Sequence, residues 1–251
     1  MIRLVTFDFW GTLVLDSAEN LAAQRGLRVQ ALVRALARAG LPSSDGDAEA
    51  VHDRSELVLV SRYWGRYRDL DSRAQVRVVL ECAGEGTCER LDGAVLDELV
   101  EGYVSPVLAY PPELQPGAAE AVRALAARGV RLGIVSNTGR TPGAVLRRVL
   151  EGHGLLKHFE TVTYSDEAGV RKPDAEIFRR TLAAAGVAAA ESAHIGDNPV
   201  EDVTGARGAG MLGIHYAAAG RPPAAHADLV VSDLAALPDQ LARLAARLPR
   251  S

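Results

Sequence analysis

The chain has 251 residues, 48% of them hydrophobic and 24% charged, with a formal net charge of −4. That length suits one large domain, or a core carrying a smaller inserted one. Acidic and basic residues are interspersed, so no basic face points to nucleic acid and no polybasic or continuous apolar run points to a membrane.

In chain order, the first segment runs from Ile2 to Phe7 and is short, apolar and rich in β-branched and aromatic residues, as a buried strand is. It reads as a strand rather than a secretion signal. It stops at Asp8, and Gly11-Thr12 supplies a turn. From about Val14 to Pro111 the pattern predicts helices and no strand. Val29, Leu32, Val33 and Leu36 share a helical face that Gly40 closes, with Pro42 beyond. Leu57, Val58, Val60 and Ser61 mark a second helix, Val76 to Ala83 a third, and Val95 to Tyr103 a fourth. Cys82 and Cys88 lie in this region; two cysteines without zinc-ligand neighbours make neither a disulfide framework nor a metal site, and a cytoplasmic protein is expected.

After Pro116-Gly117 strands and helices alternate. A helix ends at Gly129, a strand covers Val130 to Val135, and a helix covers Pro142 to Leu150. Strands follow at Thr161–Tyr164, Ala193–Ile195, Met211–His215 and Leu229–Val231, with helices at Asp174–Ala185 and Pro199–Ala209 and one at the end. Alternation of this kind implies right-handed crossovers and a parallel sheet covered on both faces. The predicted fold is therefore α/β: a Rossmann-like, doubly wound core made of residues 1–15 and 112–251, with residues 16–111 inserted as a helical cap. In such sheets the site lies beyond the carboxyl ends of the strands. Asp8, Ser136 and Asp197 each follow an apolar strand and are expected to converge there.

Each of these residues has an ordinary reading on its own, because Asp, Ser, Asn, Gly and Pro favour turns and helix entries. Together they suit one chemistry. Asp8 and Asp197 offer the oxygen ligands that a hard divalent cation prefers. Ser136 and Lys172 offer a hydroxyl donor and a point positive charge for phosphoryl oxygens. Phosphoryl transfer depends mainly on positioning and charge neutralisation, with Asp8 as nucleophile.

The motifs Phe7-Asp8-Phe9-Trp10-Gly11-Thr12, Ile134-Val135-Ser136-Asn137, Arg171-Lys172-Pro173-Asp174 and His194-Ile195-Gly196-Asp197 through Asp202 occur in that order. In them the chain resembles the haloacid dehalogenase-like hydrolases, and in particular their helical-cap phosphatases. The resemblance covers roughly residues 1–15 and 115–231. It implies a Mg²⁺-dependent phosphatase with Asp8 as nucleophile and metal ligand, the Trp10 carbonyl and Asp197 as further ligands, and Asp202 behind them. It implies Ser136 and Lys172 as phosphoryl clamps. The expected substrate is a small phosphorylated metabolite, and the expected state a monomer or homodimer.

One position departs from the family pattern. Phosphatases of the family usually carry an acid/base Asp two residues after the nucleophile; here Trp10 stands there, with no acid or base function. General acid–base help is worth about 10²–10⁴ in rate. Three readings follow: a phosphatase whose acid comes from elsewhere or is not needed, a dehalogenase-like enzyme, or a non-catalytic binder of a phosphorylated ligand. The dehalogenase branch has an aromatic Tyr at this position but lacks the metal and the Asp of the fourth motif. Asp197 and Asp202 close to Asp8 would repel it without a cation, and the phosphatase reading is preferred.

Other residues take lesser roles. Thr12 is expected to hydrogen-bond within the first loop and to line the phosphate site. Asn137 is expected to position the nucleophile loop or to contact substrate. His194 reads as a packed histidine. Asp166 and Glu167 read as partners of Lys172. Arg62, Trp64, Arg66, Tyr67 and Arg68 read as a cap helix that buries its aromatics and solvates its arginines.

Overall fold

The computed structural model describes residues 1–218 and 221–247, and the chain divides into two compact units. The first unit comprises residues 1–15, 113–137 and 150–251. Its six-stranded sheet is parallel throughout: β1 (Leu4–Phe7), β4 (Arg131–Ser136), β5 (Thr161–Tyr164), β6 (Ser192–Gly196), β7 (Leu212–Tyr216) and β8 (Leu229–Val231), in the order β5-β4-β1-β6-β7-β8. Leu4, Val5 and Phe7 are fully buried, as are Ile134, Val135, Ala193 and Ile195, which is the continuous apolar pattern of strands covered on both faces.

Register places the site. Phe7 of β1 is level with Ile134 of β4 and Ile195 of β6. Asp8 comes one residue after Phe7, and Ser136 and Asp197 come two residues after Ile134 and Ile195, so all three emerge at the same carboxyl edge. The chain also reverses its winding direction at β1, which is where ligand crevices form in open α/β sheets.

The second unit comprises residues 16–112 and 138–149. It is helical: α1 (Ala18–Arg38), α2 (Asp45–Arg62), α3 (Ser72–Ala83), α4 (Gly93–Val104) and the short α5 (Pro106–Ala109). Ser17, Ser44, Asp71 and Asp92 cap the first four, and Ser44 forms a capping box with Asp47. Leu32, Leu36, Val76, Val79, Leu80, Leu96 and Leu99 fill its core.

Three features differ from the sequence expectation. Val14–Leu15 forms a two-residue strand, β2, antiparallel to β3 (Glu113–Leu114); two residues are too few to show a period, and the partner lies about a hundred residues away. The segment 138–149, read from sequence as part of the core, groups with the helices. Its ties there are Arg28 to the Thr141 hydroxyl at 3.2 Å, Thr138 to Asp69 at 3.3 Å, and Arg140 to Ser55 and the Tyr103 hydroxyl. The stretch 199–209 is a π-helical turn (Pro199–Thr204) that runs into a single α turn, not one α-helix. Asn198 opens that turn by accepting the Val200 and Glu201 N–H groups.

In chain order the remaining helices are α6 (Ala118–Ala127), α7 (Gly143–Gly152), α8 (Ser165–Ala168), α9 (Ala175–Ala185), α10 (Gly205–Gly208) and α11 (Leu237–Arg247). No helix among the described residues is long and apolar enough to cross a membrane.

Candidate active site

Asp8 continues β1 into a tight loop. Leu13 and Val14 both donate to the Phe9 carbonyl at 3.0 Å, and Gly11 donates to Val14. Backbone bonds close this loop, and the Gln115 amide adds one to the Gly11 carbonyl at 3.1 Å. The hydroxyl of Thr12 is buried with no hydrogen-bond partner among the described residues, which corrects the expectation that it would brace the turn. Gly11 has φ +76°, and a methyl group there would lie 2.7 Å from Asp197 Oδ2. Glycine thus serves twice, for the backbone angle and for the approach of a carboxylate. Trp10 packs edge-on against Phe9, with ring centroids 4.8 Å apart.

Three carboxylates meet at the strand edge: one oxygen each from Asp8, Asp197 and Asp202 lie within 4.8 Å of one another. Lys172 joins two of them, its ammonium 2.6 Å from both Asp8 Oδ1 and Asp202 Oδ1. Ser136 donates to the same Asp8 Oδ1 at 2.8 Å, so among the described residues Asp8 Oδ2 has no hydrogen-bond donor. Asp202 reaches Lys172 because Gly196 lets it pass: a methyl group at Gly196 would fall 2.0 Å from the Asp202 carboxyl carbon. Asn137 holds the Lys172 main chain through both polar atoms of its side chain. It positions the Lys172 main chain, a role beside the two that sequence left open.

Burial dominates the electrostatics. It pushes the Asp8 carboxyl up to about 7, with Lys172 opposing and Asp202 adding to the rise. Burial acts against the Lys172 ammonium too, but Asp202 and Asp8 outweigh it and hold the pKa above the usual lysine value. Asp202 is the reverse case: burial alone would raise it, yet Lys172 and His194 keep it well below the usual carboxylate range. Asp197 is raised by burial and by Asp202, against an ion pair with Arg221 at 2.9 Å. Three carboxylates thus face one buried ammonium and one largely exposed guanidinium. The oxygen donors and the surplus negative charge fit a hard divalent cation such as Mg²⁺. Asp8 and Asp197 are the side chains that would hold it, with Asp202 behind them on Lys172 and His194.

Sequence reading missed two participants. Arg221 follows β7 by five residues and carries no motif. His194, read as packing, hydrogen-bonds Asp202. Its signal was a polar ring between the apolar Ala193 and Ile195 of β6, level with Thr6 on β1.

Comparison with known proteins identifies the family and the fold. A family model described as haloacid dehalogenase-like hydrolase matches residues 2–210. A phosphoserine phosphatase of Thermus thermophilus is 42% identical over 141 residues, which are 55% of this chain and 54% of that protein. The chain spans about half the length of the first curated relatives it matches. Among solved structures, a 2-haloacid dehalogenase of Pseudomonas syringae pv. Tomato superposes with a TM-score of 0.71 at 26% identity, covering 97% of this chain and 99% of that one. A HAD phosphatase of Thermococcus onnurineus superposes with a TM-score of 0.64 at 24% identity, covering 96% and 98%, a likeness of fold.

Proposed function

The chain belongs to the haloacid dehalogenase-like hydrolase family, and on that premise we propose that it is a Mg²⁺-dependent, cytoplasmic phosphatase acting on a small organic phosphate ester through an aspartyl-phosphate at Asp8. The observation that carries this reading is the meeting of Asp8, Asp197 and Asp202, with Lys172 bridging Asp8 and Asp202. A halide-releasing site needs one carboxylate nucleophile. Two more beside it only raise its pKa and blunt it. A phosphoryl-transfer site uses them to hold a cation, and the relatives include a protein named as a phosphoserine phosphatase.

Asp8 Oδ2 attacks phosphorus, the bond to the ester oxygen breaks, and its electron pair leaves on that oxygen, which becomes the alcohol by taking a proton from solvent, one that the water of the next step returns. Water then attacks the phosphoryl group, inorganic phosphate departs, and the Asp8 carboxylate is restored. Ser136 and Lys172, whose donor atoms already reach Asp8, hold the phosphoryl oxygens. Asp202 keeps Lys172 protonated. A bound Mg²⁺ would neutralise the charge between carboxylate and phosphate, with Asp8, Asp197 and the Trp10 carbonyl as its protein ligands.

Trp10 and the dehalogenase-like structure make halide release the competing activity. Both are tested in one assay: phosphate release from a panel of phosphorylated metabolites, with and without Mg²⁺, beside halide release from 2-haloacids. Mg²⁺-dependent phosphate release that Asp8→Asn abolishes supports the proposal. Metal-independent halide release, or tight phospho-ligand binding with no turnover, replaces it.

A further inference from the structure

His194 is buried at 0% exposure in β6, and both ring nitrogens are engaged. Nε2 lies 3.0 Å from Asp202 Oδ1, and Nδ1 lies 2.8 Å from the Thr6 hydroxyl. Asp202 is ionised beside Lys172, and an ionised carboxylate only accepts. The proton of the ring is therefore on Nε2, and Nδ1 accepts from Thr6. Thr6 and His194 are register partners on neighbouring strands. Thr6 also lies two residues before Asp8 on β1, so the two share a face of the strand. The contacts run in a circuit: Thr6 to His194, His194 to Asp202, Asp202 to Lys172, and Lys172 back to Asp8.

Each oxygen of Asp202 has its own donors. Oδ1 takes Lys172 at 2.6 Å and His194 at 3.0 Å, and Oδ2 takes the Asn198 N–H at 2.9 Å. The His194 bond prevents the carboxylate from turning toward Lys172 or away from it. If it were lost, Lys172 would no longer be shared evenly between Asp202 and Asp8.

We propose that His194 is a positioning residue: from inside the sheet it fixes Asp202, and through Asp202 it sets how far Lys172 engages the Asp8 carboxylate. Its catalytic consequence rests on the function proposed above; the hydrogen-bond arrangement does not. Two kinds of measurement separate them, both on the full chain. The first needs no turnover. Nitrogen NMR of the imidazoles should show the His194 ring protonated at Nε2 and bare at Nδ1. The Lys172 ammonium signal should shift in His194→Leu and stay in place in His194→Gln, whose amide nitrogen can still donate to Asp202. A ring protonated at Nδ1, or an ammonium signal indifferent to both substitutions, overturns the proposal whatever the enzyme does.

The second is kinetic. Loss of a hydrogen bond that orients a site carboxylate typically costs about 10–100-fold in activity. His194→Leu should lose that much in kcat with KM changed by less than about threefold, and His194→Gln should recover most of it. Thr6→Val, which removes the hydroxyl but keeps the shape, should lose less in the same direction. Equal losses in the Gln and Leu variants, tracking melting temperature alone, would show a merely structural histidine. If the Leu variant does not fold, the wild-type tautomer and the Gln and Val variants still decide.

Discussion

Asn137 and Lys172 clasp each other. The Asn137 side-chain oxygen accepts the Lys172 N–H at 2.8 Å, and its amide donates to the Lys172 carbonyl at 3.1 Å. The residue that ends the second motif thereby carries the main chain of the third. Asn137→Ala leaves a buried donor and acceptor unpaired, at about 1–3 kcal/mol of stability. It should also lower kcat more than it raises KM, because the ammonium loses its mooring while the phosphate-facing groups remain. Urea denaturation alongside steady-state kinetics checks both halves, and a variant that is less stable but fully active would remove Asn137 from the site.

Glycine at position 196 is a steric requirement of Asp202. A methyl group there would overlap the Asp202 carboxyl, at 2.0 Å from its carbon and 2.1 Å from Oδ2. Gly196→Ala should therefore cost about 1–3 kcal/mol as an overpacked substitution, and should weaken Mn²⁺ binding by more than tenfold as Asp202 is displaced. Gly208→Ala is the control, since a methyl group there meets nothing within 4 Å. Calorimetric titration with Mn²⁺ beside thermal melts reads both. Unchanged affinity in Gly196→Ala would separate Asp202 from cation binding.

Much of this arrangement was legible in the sequence. Thr161–Tyr164 and Leu229–Val231 were placed to the residue, because short apolar runs between turn signals have few other uses. The convergence of Asp8, Ser136 and Asp197 followed from strand ends alone. What stayed hidden depends on side chains meeting across long separations. Segment 138–149 joins the helices through Arg28 and Asp69, which lie 113 and 69 residues from their partners. His194 looked like packing because a single strand does not show what its ring faces. Thr12 looked like a turn brace because its type fits that role, whereas the backbone had already closed the loop.

Cation binding should be coupled to a proton. Burial pushes Asp8 from 3.8 to about 7. A raised carboxyl favours the protonated fold, so its contribution to stability is fully present below pH 3.8 and is lost as pH rises through about 7. A cation needs the ionised form. Binding at pH 6 should therefore release about one proton per ion, and at pH 8.5 almost none. Apparent affinity should rise with pH and level off above 7. Titration calorimetry in buffers of different ionisation enthalpy measures the proton count directly, and Asp8→Asn should abolish the release.

His52 in the helical unit works in the opposite sense. Burial, assisted by the Arg140 charge, pushes its pKa from 6.5 down to about 4. The fold holds the ring neutral, so this contribution to stability is present above pH 6.5 and is lost as pH falls through 4. Wild-type protein should weaken over that window more than His52→Asn, whose amide does not titrate. Comparing both in an Asp8→Asn background removes the opposing carboxyl. Parallel pH profiles of the two proteins would show that His52 is not the acid-sensitive group.

The most informative single substitution is Trp10→Asp. Its indole stands two residues after Asp8, packs on Phe9 and has no acid or base function. If protonation of the leaving oxygen limits turnover, a carboxyl here should raise kcat for alkyl phosphates by about 10²-fold, within the usual range for general acid help. Aryl phosphates with acidic phenols need little protonation and should gain much less. The slope of log kcat against leaving-group pKa is the measurement, and it should flatten in the variant. A fourth carboxylate also adds negative charge beside Asp8 and Asp197, so Mg²⁺ should bind more tightly whether or not the rate improves. Tighter Mg²⁺ binding with an unchanged slope would mean that the wild-type enzyme already has its proton donor elsewhere, and that Trp10 shapes the pocket rather than limiting the chemistry.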